Sequence, residues 1–177
     1  TWKMFYHATG FNGDISTWNL GSLTKSLQMF NGASSFNNDI SQWELRTVSN
    51  AAQMFKDATA FNADVSQWDV SNMNSMSEMF RSASSFNRDV SFWNIAAAGS
   101  IANMFNGAAS FNFKTALDVV WEERKPDYYP GTAMFDGTCS TSVSCGICGQ
   151  RGPTTNSAVT CSPSVQPATA LSSTPCD

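Results

Sequence analysis

Three sets of residues in this chain are of types that do chemistry. Five cysteines, Cys139, Cys145, Cys148, Cys161 and Cys176, all lie after residue 138. Four aspartates, Asp14, Asp39, Asp64 and Asp89, recur at one constant step. Four tryptophans, Trp18, Trp43, Trp68 and Trp93, keep the same interval. The pair Cys145 and Cys148 has the spacing of a zinc knuckle or a redox dithiol. Zinc would need a second close pair of ligands, which Cys161 and Cys176 do not make, and the one histidine, His7, is at the far end of the chain. A redox dithiol would sit in a βαβ pattern, and none surrounds it. The Ser, Thr, Pro and Gly around these cysteines favour disulfides in an extracellular-type tail. Five is odd, so one cysteine is free, pairs with another chain, or pairs with a residue beyond Asp177.

The aspartates pose an electrostatic question. Carboxylates stacked one repeat apart repel unless something compensates. Either each accepts hydrogen bonds from nearby backbone amides, as in an Asx turn, or cations such as calcium lie between them. The Gly-rich nonapeptide of calcium-binding β-rolls is absent, so turn bonding is expected and no cofactor is. Asn12, Asn37, Asn62 and Asn87 form a parallel column suited to the amides exposed at a sharp corner. The tryptophans could stack sugars, but a Leu, Val or Ile two residues on makes a stacked core the better reading. Catalysis by a nucleophile, base and orienter needs convergent groups. One histidine, and no cysteine ahead of Cys139, leave no such set, and no enzyme activity is expected.

These residues are placed by a repeat. Met-Phe pairs fall at Met4-Phe5, Met29-Phe30, Met54-Phe55, Met79-Phe80 and Met104-Phe105. An Ala three residues after each Phe and a Phe-Asn pair, from Phe11-Asn12 to Phe111-Asn112, keep the same step. A fixed period in the twenties marks a solenoid, whose units bury their apolar faces only by stacking. Trp68 and Val70, two apart, read as a short strand with one face inward. Met73, Met76, Phe80 and Ala83, at steps of three and four, read as a helix face, with Ser71 as N-cap. The expected fold is therefore an α/β solenoid: a stack of parallel strands and short helices, curved because helices need more room than strands. Two outward rows, Thr17, Gln42, Gln67 and Phe92, then Asn19, Glu44, Asp69 and Asn94, alternate with the tryptophans and form the candidate binding face on the concave side.

The phrase Met-Phe-x-x-Ala-x-x-Phe-Asn-x-Asp-[Ile/Val]-Ser-x-Trp, running from Met4 to Asn112, resembles the surface-protein repeat of mycoplasma lipoproteins. That family is allied to the treponemal type of leucine-rich repeat and also occurs in protist and algal surface proteins. The resemblance implies a leucine-rich-repeat-like solenoid on an exported or cell-surface protein, with an adhesion or interaction role and no catalysis.

Three regions follow. Residues 1–112 are repeats. Residues 113–138 are a degenerate terminal unit, with Lys114 where Asp is expected and Met134-Phe135 arriving later after Met104-Phe105 than the step requires. Its most charged stretch, Trp121 to Pro130, reads as an inserted loop. Residues 139–177 are the cysteine tail. Of the 177 residues 42% are apolar and 14% charged, and the net charge is -4. That balance speaks against a nucleic-acid partner and gives no attraction to an anionic membrane. No apolar run is long enough to span a bilayer, and no Asn-x-Ser/Thr sequon occurs. The function expected is a non-catalytic extracellular or cell-surface module binding protein or glycan. The alternative is a structural subunit of a larger extracellular assembly, covered at its first coil by more of the same chain or by neighbouring subunits.

Overall fold

A computed structural model of the protein describes residues 2–112, Trp121 and residues 134–136. The expected inserted loop and the five cysteines, with any disulfides, lie outside the described residues. Within residues 2–112 each repeat unit makes one coil and lies on the next.

The coils are not built from strand and helix. Among the described residues there is almost no regular secondary structure. The nearest approach to a sheet is a line of isolated parallel bridges, Lys25 to Asn50, Asn50 to Ser75 and Ser75 to Ser100. The expected α/β solenoid is therefore wrong, and the reason lies in the backbone hydrogen bonds. Within one coil, Met29 N–H donates to Ser26 O at 3.1 Å, Asn31 to Gln28 at 3.2 Å, Ala33 to Phe30 at 3.0 Å and Phe36 to Ala33 at 3.0 Å. These are successive turns. The amides between them point out of the coil. Ser26, Gln28, Phe30 and Gly32 donate to Asn50, Ala52, Met54 and Lys56 of the next coil at 2.8–3.0 Å. A helix would bond each N–H inside its own segment and hold its neighbour roughly 8–10 Å away. Here backbone meets backbone directly.

Two columns of left-handed residues make the turns possible. Lys3, Gln28, Gln53, Glu78 and Asn103 have φ of 54 to 60°, and His7, Gly32, Asp57, Ser82 and Gly107 have φ of 55 to 74°. From His7 onward each occupies the third position of a turn, where a type II turn requires positive φ. The segment is also rich in Ser, Asn, Asp and Gly, all weak helix formers. The spacing of Met73, Met76, Phe80 and Ala83 did find the buried side, because successive three-residue turns and a helix bury nearly the same positions. With no helices to hold apart, the reason to expect curvature and a concave face also disappears.

The core is a set of ladders running along the stack. Phe30, Phe55, Phe80, Phe105 and Phe135 stack at centroid separations of 5.5 to 5.7 Å. A second ladder runs Phe11, Phe36, Phe61, Phe86 and Phe111 at 5.8 to 6.0 Å. Inside a coil the two meet face to face, as Phe55 and Phe61 do at 3.9 Å. Met134 and Phe135 close the described stack, since Phe105 N–H donates to Met134 O and Gly107 N–H to Asp136 O. Ser26 alone breaks the apolar column formed with Ala51, Met76 and Ile101, and its buried hydroxyl has no hydrogen-bond partner.

Two substitutions test this core. Phe80→Ala, at the centre of the ladder, should lower unfolding free energy by about 3–5 kcal/mol. Ser26→Ala should raise it by roughly 1 kcal/mol or more, since an unpartnered buried hydroxyl costs about 1–3 kcal/mol. Urea unfolding followed by tryptophan fluorescence reads both, and a destabilised Ser26→Ala would show that its hydroxyl has a partner.

Candidate functional site

The repeated columns divide into those that hold the stack and those left to solvent. The tryptophans belong mainly to the first group. Trp43, Trp68 and Trp93 are buried, their rings 6.4 Å apart and within 7° of parallel. Each indole N–H donates to a backbone carbonyl of the preceding coil: Trp43 to Ile15 at 3.1 Å, Trp68 to Ile40 and Trp93 to Val65 at 3.0 Å. Buried edge and face alike, these three cannot stack a sugar. Trp18 has no coil before it among the described residues and is 37% exposed.

The Asn column is a hydrogen-bonded wire between coils. The side-chain oxygen of Asn12 accepts the Asn37 amide at 2.9 Å, Asn37 accepts Asn62 at 2.7 Å, Asn62 accepts Asn87 at 3.0 Å and Asn87 accepts Asn112 at 3.2 Å. The Asp column instead closes turns within each coil. Asp14, Asp39, Asp64 and Asp89 accept the amides of Ser16, Ser41, Ser66 and Ser91, each at 2.9 Å.

These local bonds decide the electrostatics. The Ser amide, and after it the Ser hydroxyl, holds the carboxyls of Asp14, Asp39 and Asp64 below the ordinary aspartate value. Neighbouring Asp64 and Asp14 push Asp39 the other way, and the amide outweighs them. The repulsion foreseen from the sequence is present but is the smaller effect. Among the described residues no group of three or more His, Cys, Asp or Glu is placed to hold a metal.

All eight candidate face residues are exposed, but the two rows differ. In the row of Asn19, Glu44, Asp69 and Asn94, three side chains are already used. Asn19 accepts the Gly21 amide at 2.9 Å, Asn94 accepts Ala96 at 3.2 Å, and Asp69 accepts both the amide and the hydroxyl of Ser71. The Ser71 hydroxyl, then its amide, holds the Asp69 carboxyl low. The row of Thr17, Gln42, Gln67 and Phe92 is freer. Gln42 and Gln67 give one N–H each to the hydroxyls of Ser41 and Ser66, at 3.2 and 3.3 Å, which orients the amides without saturating them. Phe92 is 71% exposed, a lone aromatic on a polar row.

The sequence reading did not single out two further features. Hydroxyls of Ser34, Thr59 and Ser84 donate to the carbonyls of Thr9, Ser34 and Thr59 in turn, each at 3.3 Å. The constant step of Thr9, Ser34, Thr59 and Ser84 was their signal. Lys56 and Arg81 converge on Glu78 at 2.7 and 3.0 Å. Lys56 and Arg81 share one column and Glu78 lies in another, so the period along a single column could not reveal the contact.

The Asp turns set an acid limit. The folded-state values of Asp14, Asp39 and Asp64 lie below the unfolded 3.8, so the stabilisation from these three is complete above that pH and fades as pH falls through the folded value. Stability should therefore drop on acidification below about pH 4. Replacing Asp14, Asp39 and Asp64 together by Asn keeps the acceptor oxygen and removes the titration. The urea midpoint of that triple variant should fall less steeply with pH than the wild type's, and equal slopes would mean the columns do not set the acid limit.

No described helix is long and apolar enough to cross a membrane. No curated protein and no solved structure gives a significant match. A family described as "Mycoplasma protein of unknown function, DUF285" matches residues 2–121, covering all five Met-Phe coils. The chain belongs to that family.

Proposed function

We propose that the protein is a non-catalytic interaction module at the cell surface or outside the cell, which offers a fixed polar row to a protein or glycan. The supporting observation is the row of Thr17, Gln42, Gln67 and Phe92. Its side chains repeat once per coil, on a backbone held by core ladders on one side and Asx turns on the other. Amides with remaining donor and acceptor capacity beside an exposed aromatic ring suit a sugar, which needs hydrogen bonds at its rim and an apolar face. The family description assigns no function. The surface location rests on the resemblance of the repeat to those of surface proteins and on the clustered cysteines.

A membrane-impermeant amine label applied to intact source cells should modify the protein, and absence of label would remove the surface location. The purified protein should then bind a subset of a glycan array. Gln42→Ala with Gln67→Ala should weaken that binding by roughly tenfold, at about 0.5–1.5 kcal/mol per lost hydrogen bond. The unfolding midpoint should stay nearly constant, because both positions are exposed. Binding that survives both changes would exclude this row.

A further inference from the structure

The chain contains three Asn-Gly pairs, Asn12-Gly13, Asn31-Gly32 and Asn106-Gly107. In such a pair the glycine nitrogen can attack the asparagine side-chain carbonyl, because no Cβ crowds it. The fold treats the three pairs differently. Gly32 N–H donates to Lys56 O at 2.8 Å and Gly107 N–H to Asp136 O at 2.6 Å. Both nitrogens are committed to the next coil, and Asn31 is buried. Asn12 and Gly13 are exposed, and Gly13 N–H donates to nothing among the described residues.

The open amide belongs to the position and does not depend on the first coil. Asn38, Ala63 and Arg88 take the place of Gly13 in coils flanked on both sides, and their amides also donate to nothing among the described residues. Asn37, the counterpart of Asn12 in such a coil, is exposed as well. What Asn12 alone has in its column is a glycine after it. Asn37, Asn62 and Asn87 precede Asn38, Ala63 and Arg88, whose Cβ atoms hinder the attack. The Asn12 carboxamide is also polarised. Its Oδ1 accepts the Asn37 N–H at 2.9 Å, a donor that steadies negative charge on this oxygen as the nitrogen adds to carbon.

We propose that Asn12-Gly13 is a site of spontaneous deamidation, and that its isoaspartyl product loosens the link between the first two coils. The inference is independent of the lateral polar row. Gly13 N bonds to Asn12 Cγ, the Cγ–Nδ2 bond breaks, and ammonia leaves with the Gly13 amide proton. Water then opens the cyclic imide. Attack at one carbonyl gives aspartate; attack at the other gives isoaspartate, whose main chain runs through the former side chain. Isoaspartate adds a methylene to the main chain of the coil and a negative charge two residues from Asp14. It also displaces two acceptors that serve the second coil. These are Oδ1, bonded to the Asn37 N–H, and the Asn12 main-chain oxygen, which accepts Asn38 Nδ2 at 3.3 Å.

The test ages the full chain in mildly alkaline buffer, both folded and in urea, and maps its peptides by mass spectrometry. An isoaspartyl methyltransferase with a labelled methyl donor reads the isoaspartate. In the folded protein Asn12 should convert at least roughly tenfold faster than Asn31 or Asn106, whose glycine nitrogens are released only by local opening. In urea the three rates should converge. Gly13→Ala should suppress conversion and keep the fold, since Ala63 fills the same place two coils on. The isoaspartyl form, isolated by chromatography, should unfold at a lower urea concentration than the Asn12→Asp variant, which carries the same charge on an unaltered main chain. Equal folded rates at the three pairs, a hierarchy that persists in urea, or equal unfolding midpoints would overturn the proposal.

Discussion

Alternate backbone amides in each coil have no partner within it. Ser26, Gln28, Phe30 and Gly32 find theirs one coil further on, and Ser35, Asn37 and Ser49 one coil back. An unpaired buried amide is costly, so each coil depends on its neighbours for stability. This dependence explains the rigidity of the period. A single inserted residue in the bonded segment would set every amide against another amide or a side chain. Between Met104 and Met134 the step does lengthen, yet Phe105 and Gly107 still bond Met134 and Asp136.

The aromatic ladders follow from the same geometry. Direct backbone contact sets the coil rise, on the order of the 4.8 Å between paired strands. Flat rings tilted to the axis stack at 5.5 to 6.0 Å within that rise, close to the preferred offset geometry of aromatic pairs. A branched side chain in the Phe columns would leave voids above and below. The Trp column adds a polar function, since its indole N–H donates to the previous coil. The Ala column, Ala33, Ala58, Ala83 and Ala108, is wholly buried, where the chain turns tightly from one Phe to the other.

Much of this was legible in the sequence. The constant step identified which residues would be buried, and Trp43, Trp68, Met54, Phe55 and Phe80 are all in the core. It did not identify the local conformation. Met73, Met76, Phe80 and Ala83 carry a helix pattern, but periodicity describes only side chains. The choice between a bond to residue i−4 and a bond to the next coil depends on whether a neighbour lies within reach. The left-handed positions were marked only by Gly32 and Gly107. At the same places His7, Asp57 and Ser82 hid the requirement. A column occupied by His, Gly, Asp, Ser and Gly, poor in β-branched and bulky apolar residues, was the available signal.

For the exposed rows, the sequence showed which residues point outward but not which were already occupied. Asn19, Asp69 and Asn94 look equivalent to Gln42 and Gln67 in a pattern of alternation, yet their shorter side chains reach their own backbone two residues on. One extra methylene carries the Gln amide past that contact, and it settles instead on the neighbouring Ser hydroxyl. Side-chain length, more than polarity, thus separates a row that shapes the turn from a row with hydrogen-bonding capacity to offer. Recognition by this protein would then be specified along a single line of residues, one per coil, whose spacing is inherited from the backbone bonds beneath it.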